Sequence, residues 1–348
     1  MVKVKNRFEI SDNEYHYTAG YYTTNIWVDS DTIIAARSKS HEISKSSGET
    51  VELVKVSLST GEKTVLCNDP IGSSHVVYGN KIYYTIGKEI KMVDAQSGES
   101  KVIYKDEFFP GENINLSSPE ITNDGKYLSV FVCRKDMPTV FIVINTVTGK
   151  AKKLCEKGFS APFSTANHGM ICPTDPDIIF FAHEGDTHYV SNRLWIYNAK
   201  TDKMYNVAKQ KLDENGTLGD CFGHESWSPD GGGMYFVKYP VSPVPPKGIC
   251  YVDIETKEIE LLYSAYPYWH VAVSHDNKYL LSDTQIDGID SQVVVIDRAD
   301  NSETVVDTVK IKVHPCHPHP QMSPDNKKVI YTALNSEGRT CIMGSILE

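Results

Sequence analysis

Ser323-Pro324-Asp325-Asn326-Lys327-Lys328 reads as a tight turn that delivers the chain into an apolar strand. Working back toward the N-terminus, the phrase returns as Ser274-His275-Asp276-Asn277-Lys278-Tyr279 and Ser228-Pro229-Asp230-Gly231. Earlier versions are Thr174-Asp175-Pro176-Asp177-Ile178-Ile179 and Thr122-Asn123-Asp124-Gly125-Lys126-Tyr127-Leu128. Tyr78-Gly79-Asn80-Lys81-Ile82-Tyr83 and Val28-Asp29-Ser30-Asp31-Thr32-Ile33-Ile34 complete the set of seven, spaced by about 44 to 53 residues.

A second turn lies between successive copies: Ser59-Thr60-Gly61-Glu62, Gln96-Ser97-Gly98-Glu99, Val147-Thr148-Gly149-Lys150, Lys200-Thr201-Asp202-Lys203, Glu255-Thr256-Lys257-Glu258 and Asp300-Asn301-Ser302-Glu303. Turns of this composition between short apolar runs are hairpin signals. Two hairpins per period make a four-stranded sheet per repeat, the unit of a β-propeller blade. The seventh repeat reaches Glu348 before its second hairpin, so the segment around Val2 to Ile10 is expected to supply the missing strand. The expectation is an all-β chain: one seven-bladed β-propeller domain over residues 1–348, closed by its N-terminal strand.

Composition narrows the function. The net charge of −10 disfavours nucleic acid as a partner. No apolar run is long enough to cross a membrane, and Met1-Val2-Lys3-Val4-Lys5-Asn6-Arg7 has no apolar segment after it of the kind a signal peptide needs. Eight scattered cysteines without a Cys-x-x-Cys pair suit a reducing compartment, so a cytoplasmic location is expected. An anionic ligand would need local positive charge, from a metal or a placed arginine, against the overall field.

The histidines supply a candidate for that charge. His314-Pro315-Cys316-His317-Pro318-His319-Pro320 sets three imidazoles in six residues, with His317 and His319 on one side of an extended segment. His314 has the opposite parity and joins them only if the backbone bends, which Pro315 encourages. Neutral imidazole is the commonest protein ligand for transition metals. A single histidine beside a strand is ordinarily a hydrogen-bonded polar group, and a proline-rich run is ordinarily a solvated loop. Here, however, His224 precedes the turn of the fifth repeat and His270 that of the sixth, as the cluster precedes that of the seventh. Equivalent positions in consecutive blades face one channel mouth, which makes a joint metal site the better reading.

On these residues the chain resembles the oligogalacturonate lyase family of seven-bladed propellers. The likeness rests on Phe181-Ala182-His183-Glu184-Gly185 through Arg193-Leu194-Trp195, on His224-Glu225-x-Trp227-x-Pro229-Asp230-Gly231, on His270, and on His317-Pro318-His319-Pro320. It spans about residues 160 to 345, and the first three repeats match only in pattern. The resemblance implies a divalent metal, manganese, held by His270, His317 and His319. It implies a glutamine where this chain has His314, so a four-histidine set is expected here, with zinc, nickel or iron as alternatives to manganese. It implies His224 as the catalytic base and Arg193 as the residue facing the substrate. The implied reaction is β-elimination on short uronic-acid oligosaccharides, oligogalacturonides first, giving 4,5-unsaturated products.

A base removes the C5 proton beside the uronate carboxylate and the C4 oxygen leaves. Tyr268 or a water is the candidate for protonating that oxygen. Relatives are expected to carry insertions where this chain has the short turns Cys133-Arg134-Lys135-Asp136-Met137-Pro138 and Asp283-Thr284-Gln285-Ile286-Asp287-Gly288. Two readings compete. One is a metal-dependent hydrolase, with Glu225 as its only obvious carboxylate base. The other is a non-catalytic binding or scaffold propeller of the Ser-Pro-Asp-Gly type.

Overall fold

The turn phrase works because of its middle and last residues. In the sixth repeat the Ser274 hydroxyl donates to Asp276 Oδ1 at 3.0 Å, and the Ser274 N–H closes the turn on the Tyr279 carbonyl at 2.9 Å. Asn277 takes a left-handed φ of 60° between them, a conformation asparagine and glycine tolerate best. Ser323, Asp325 and Asn326 repeat this arrangement, as do Thr122, Asp124 and Gly125. In the second turns the left-handed position falls on Gly61, Gly98 and Gly149, then on Asp202, Lys257 and Asn301. All six of those turns therefore share one backbone solution despite different side chains.

A computed structural model describes residues 2–40, 50–70, 75–134, 137–155, 159, 163–185, 190, 192–285, 290–311 and 317–348. These residues form seven four-stranded sheets and no helix, so no helix is long and apolar enough to cross a membrane. Blades one to six each take four strands in chain order, the first strands being His16–Thr18, Val76–Tyr78, Glu120–Ile121, Ala166–Ile171, Phe222–Trp227 and Tyr268–Val273. Blade seven takes Gln321–Met322, Lys328–Leu334 and Thr340–Leu347, and its fourth strand is Val4–Ile10. The chain is thus a seven-bladed β-propeller whose N-terminal strand completes the last blade. Phe8 lies opposite Gly344 in that pairing, and its ring covers the glycine so closely that an added Cβ would sit 2.1 Å from it.

Two compact units divide the chain: residues 1–86, 91–101 and 269–348, and residues 87–90 and 102–268. Each has its own apolar core. In the first, Val293, Val295, Val306, Val329 and Tyr331 pack together with Tyr22 and Leu281, and Tyr17, Ile26, Ile33 and Ile342 form a second cluster. In the other, Phe180, Leu194, Ile196, Met234, Phe236 and Trp227 form one cluster, and Phe141, Ile179 and Phe181 belong to a neighbouring one. Strands buried on both faces between neighbouring sheets explain the near-continuous apolar runs, such as Val293-Val294-Val295-Ile296.

Candidate metal centre and arginine cluster

The first group lies in the unit that contains blades six and seven. His270 sits inside the strand Tyr268–Val273 and is 2% exposed. The next strand, Tyr279–Thr284, contributes Asp283, which is 1% exposed. Asp283 Oδ1 accepts the His270 backbone N–H at 2.9 Å, and both carboxylate oxygens lie 2.9 Å from His270 Nδ1. Nδ1 therefore carries the proton, and the lone pair of Nε2 is left for a ligand. Asp283 Oδ2 also accepts the His319 N–H at 3.3 Å, which ties the blade-seven loop to the same carboxylate.

Across from His270, His319 takes a left-handed φ of 46° and is 4% exposed. Its Nε2 stands 3.3 Å from the Nε2 of His270. Two nitrogens bound side by side to one transition metal at about 2.1 Å sit about 3.0–3.4 Å apart, so this separation, also that of a direct hydrogen bond between the rings, suits two ligands sharing one ion. His317 completes the set, with ligand atoms of all three histidines within 4.8 Å of one another. Burial lifts the Asp283 carboxyl above its ordinary range, although the His319 and His317 rings pull the other way. Tyr21 and Tyr22 flank the imidazoles, with ring centroids 5.0 Å from His319 and 5.1 Å from His270 respectively. The residues present fit a divalent metal: three neutral nitrogen donors, one of them oriented by a buried carboxylate.

The sequence brought His270, His317 and His319 forward, and the fold gathers them. His314 and Cys316 lie outside the described residues. The sequence suggests a short turn beginning at Asp283; the residue is instead part of the strand and holds His270. Tyr268 begins the same strand as His270 and is 1% exposed.

The second group lies in the other unit. Arg193, just before the strand Leu194–Asn198, is buried between two carboxylates. Its Nε donates to Glu225 Oε1 at 3.0 Å. Its Nη1 and Nη2 donate to Glu184 Oε2 and Oε1 at 3.3 and 3.1 Å. Burial works against the guanidinium charge, but Glu225 and Glu184 outweigh it and hold the pKa above the ordinary value. The Arg193 N–H donates to Gln210 Oε1 at 3.1 Å, and Gln210 Nε2 donates to the Asp220 carbonyl at 2.6 Å, which fixes the backbone too.

His224 belongs to a β-bulge in the strand Phe222–Trp227, where His224 and Glu225 together oppose one residue between the pairs Gly223–Val237 and Ser226–Tyr235. It takes a left-handed φ of 54° and packs edge-on against Tyr239, with ring centroids 5.1 Å apart. The bulge turns His224 and Glu225 away from simple strand alternation.

One histidine escaped the sequence reading. His168, φ 52°, sits in the matching bulge of blade four, between the pairs Asn167–Ala182 and Met170–Phe180. Its Nε2 is 3.8 Å from Glu184 Oε1, and burial holds its pKa below the ordinary value. The blade-four turn closes from Cys172 N–H to the Ile178 carbonyl, as Ser228 N–H closes to Gly233. His168 is four residues before Cys172, just as His224, His270 and His319 are four before Ser228, Ser274 and Ser323. The blade-four phrase begins at Thr174 in the sequence, two residues past Cys172, so the shared register is not visible there.

Three imidazoles converging on one point, two of them buried, on a seven-bladed propeller define the class: a propeller with a candidate metal site built from blade-entry histidines. The oligogalacturonate lyase profile matches residues 122–305, just over half of the chain. An oligogalacturonide lyase of Pectobacterium atrosepticum is 26% identical over 215 residues, covering 55% of this chain and 51% of that one. The aligned stretch thus spans about half the length of that relative. Among solved structures, an oligogalacturonate lyase in complex with manganese superposes with TM-score 0.80 at 18% identity, covering 98% of this chain and 93% of the other. The Vibrio parahaemolyticus oligogalacturonate lyase gives 0.76 at 17%, covering 99% and 98%. This chain belongs to the oligogalacturonate lyase family.

Proposed function

We propose that this protein is a metal-dependent lyase that cleaves short uronic-acid oligosaccharides, oligogalacturonides first, by β-elimination to 4,5-unsaturated products. The observation that carries the proposal is the pair of Nε2 atoms of His270 and His319 3.3 Å apart, with His317 beside them and Asp283 fixing the His270 tautomer. A divalent cation held by His270, His317 and His319, manganese as in the solved relative, supplies positive charge against the second negative charge that builds on the uronate carboxylate when C5 is deprotonated. A neutral His224 takes the C5 proton on an imidazole nitrogen. Arg193 takes a substrate carboxylate in its planar fork. The hydrolase reading is weakened because its one candidate base, Glu225, is fully buried and held by Arg193.

Incubation with oligogalacturonides, first with chelator and then with manganese restored, should show absorbance of the unsaturated product only in the restored sample. His319→Ala should lose metal and turnover together. His224→Ala should keep the metal and lose turnover by about 100-fold or more. Metal-loaded protein that yields no unsaturated product from any uronide would overturn the proposal.

A further inference from the structure

The arginine cluster carries one guanidinium between two carboxylates, an adverse balance for a pocket that is to receive an anion. Its two acids are not equivalent. Glu225 lies inside a strand, is 0% exposed, and takes the single N–H at the Nε edge. Glu184 follows the end of the strand Ile178–His183, keeps 29% of its side chain exposed, and takes the two-pronged Nη edge. That edge is the one a guanidinium offers to any carboxylate bidentately. We infer that Glu184 stands in for the substrate's carboxylate: in the free protein it occupies the Arg193 fork, and a uronate binds there by displacing it, while Glu225 stays and aims the guanidinium.

The inference rests on Arg193 being the residue that receives the substrate. It follows from differences in burial and connection. Removing Glu225 from Arg193 would strand a buried charge, which is costly. Glu184 pays no such penalty, because its side chain already reaches solvent and its backbone N–H is independently held by the Thr165 carbonyl at 2.9 Å. His168 Nε2, 3.8 Å from the same Oε1, offers the displaced carboxylate a neighbouring partner. The cluster is therefore a carboxylate site occupied by its own ligand, and it selects for acids over neutral sugars because only an acid replaces what leaves.

The test is equilibrium binding of galacturonate, which has no glycosidic C4 oxygen to lose, to the metal-loaded protein, with galactose as the neutral counterpart. Glu184→Gln should tighten galacturonate binding about fivefold, the size of a partly exposed ion pair, and leave galactose unchanged. Glu184→Ala should act in the same direction. Arg193→Lys, which keeps the charge and loses the fork, should weaken galacturonate, and in that background Glu184→Gln should give no gain. If Arg193→Lys leaves galacturonate binding unchanged, Arg193 does not receive the substrate and the premise falls. If Arg193→Lys weakens it but the Glu184 variants bind no better, the premise stands and the displacement idea is wrong. An equal gain from Glu184→Gln with arginine or lysine at 193 would reduce the effect to long-range charge and overturn it as well.

Discussion

Asp283 spends its charge on His270. Both carboxylate oxygens reach His270 Nδ1, one of them also takes the His270 N–H, and the other takes the His319 N–H. Without an ion beneath the ring this is an expensive arrangement, since burial lifts the Asp283 carboxyl above its ordinary range. The two consequences of neutralising it therefore run in opposite directions. Asp283→Asn should weaken metal binding about 10–100-fold, the usual cost of losing a carboxylate behind a ligating histidine. The metal-free protein should keep or raise its melting temperature, because a buried charge has gone. Competition against a chromogenic chelator reads the first effect and thermal unfolding in chelator reads the second; unchanged affinity would remove Asp283 from the metal centre. At this scale the sequence was only partly legible. His270, His317 and His319 announced themselves by repeating at blade spacing. Asp283 and Glu184 did not, because a lone acid at a strand end looks the same whether it caps a turn or holds a functional group.

Between residues and the molecule stand the strands and the turns that register them. The turn phrases were readable because Asp, Asn and Gly are demanded by particular backbone angles, and those angles occur at Asn277, Asn326 and Gly231. The bulges of blades four and five were not readable, since their left-handed residues are His168 and His224, and His319 takes the same conformation ahead of blade seven; histidine adopts it more often than most side chains but does not mark a turn as glycine or asparagine does. Sparsely populated backbone conformations at non-glycine residues outside turns tend to cluster at functional sites, which sets these three histidines apart from the turn asparagines. One further histidine ties two elements together. His75, just before the strand Val76–Tyr78, is 1% exposed and its Nε2 donates to the Ile34 carbonyl of blade one at 3.0 Å. Burial pushes its pKa down from 6.5 to about 4, the hydrogen bond opposing. The unfolded chain therefore takes up this proton first, so the stabilising difference is full above about pH 7, falls as the pH drops through 6.5, and levels off below about 4. This single group should account for about 3 kcal/mol of lost stability between pH 7 and pH 4. Denaturant unfolding of His75→Gln at the two pH values should show that much less acid sensitivity than the parent, and an identical pH slope would refute the assignment.

The seven sheets are legible in the sequence because six repeats carry two hairpin turns each and the seventh lacks its last strand. That missing strand is where the ends of the chain bear on the whole molecule. Val4–Ile10 pairs with Thr340–Leu347, Ile10 lies opposite Ile342, and both isoleucines belong to the buried cluster that contains Tyr17 and Ile33. Blade seven is also the blade into which the His317–His319 loop leads, through Gln321–Met322, whose glutamine side chain donates to the carbonyls of Ala19 and Tyr21. Deleting residues 2–10 would leave Thr340–Leu347 as an open edge with unpaired N–H and C=O groups, a template for another chain. It would also open the cluster around Ile342 and Tyr17 to water. The truncated protein should melt lower by roughly 10 °C, associate in a concentration-dependent way by light scattering, and bind manganese more weakly because the loop bearing two of the proposed ligands rests on the loosened blade. A chain lacking residues 2–10 that stays monomeric, with the parent's melting temperature and metal affinity, would show that the metal centre stands without the strand that closes its blade.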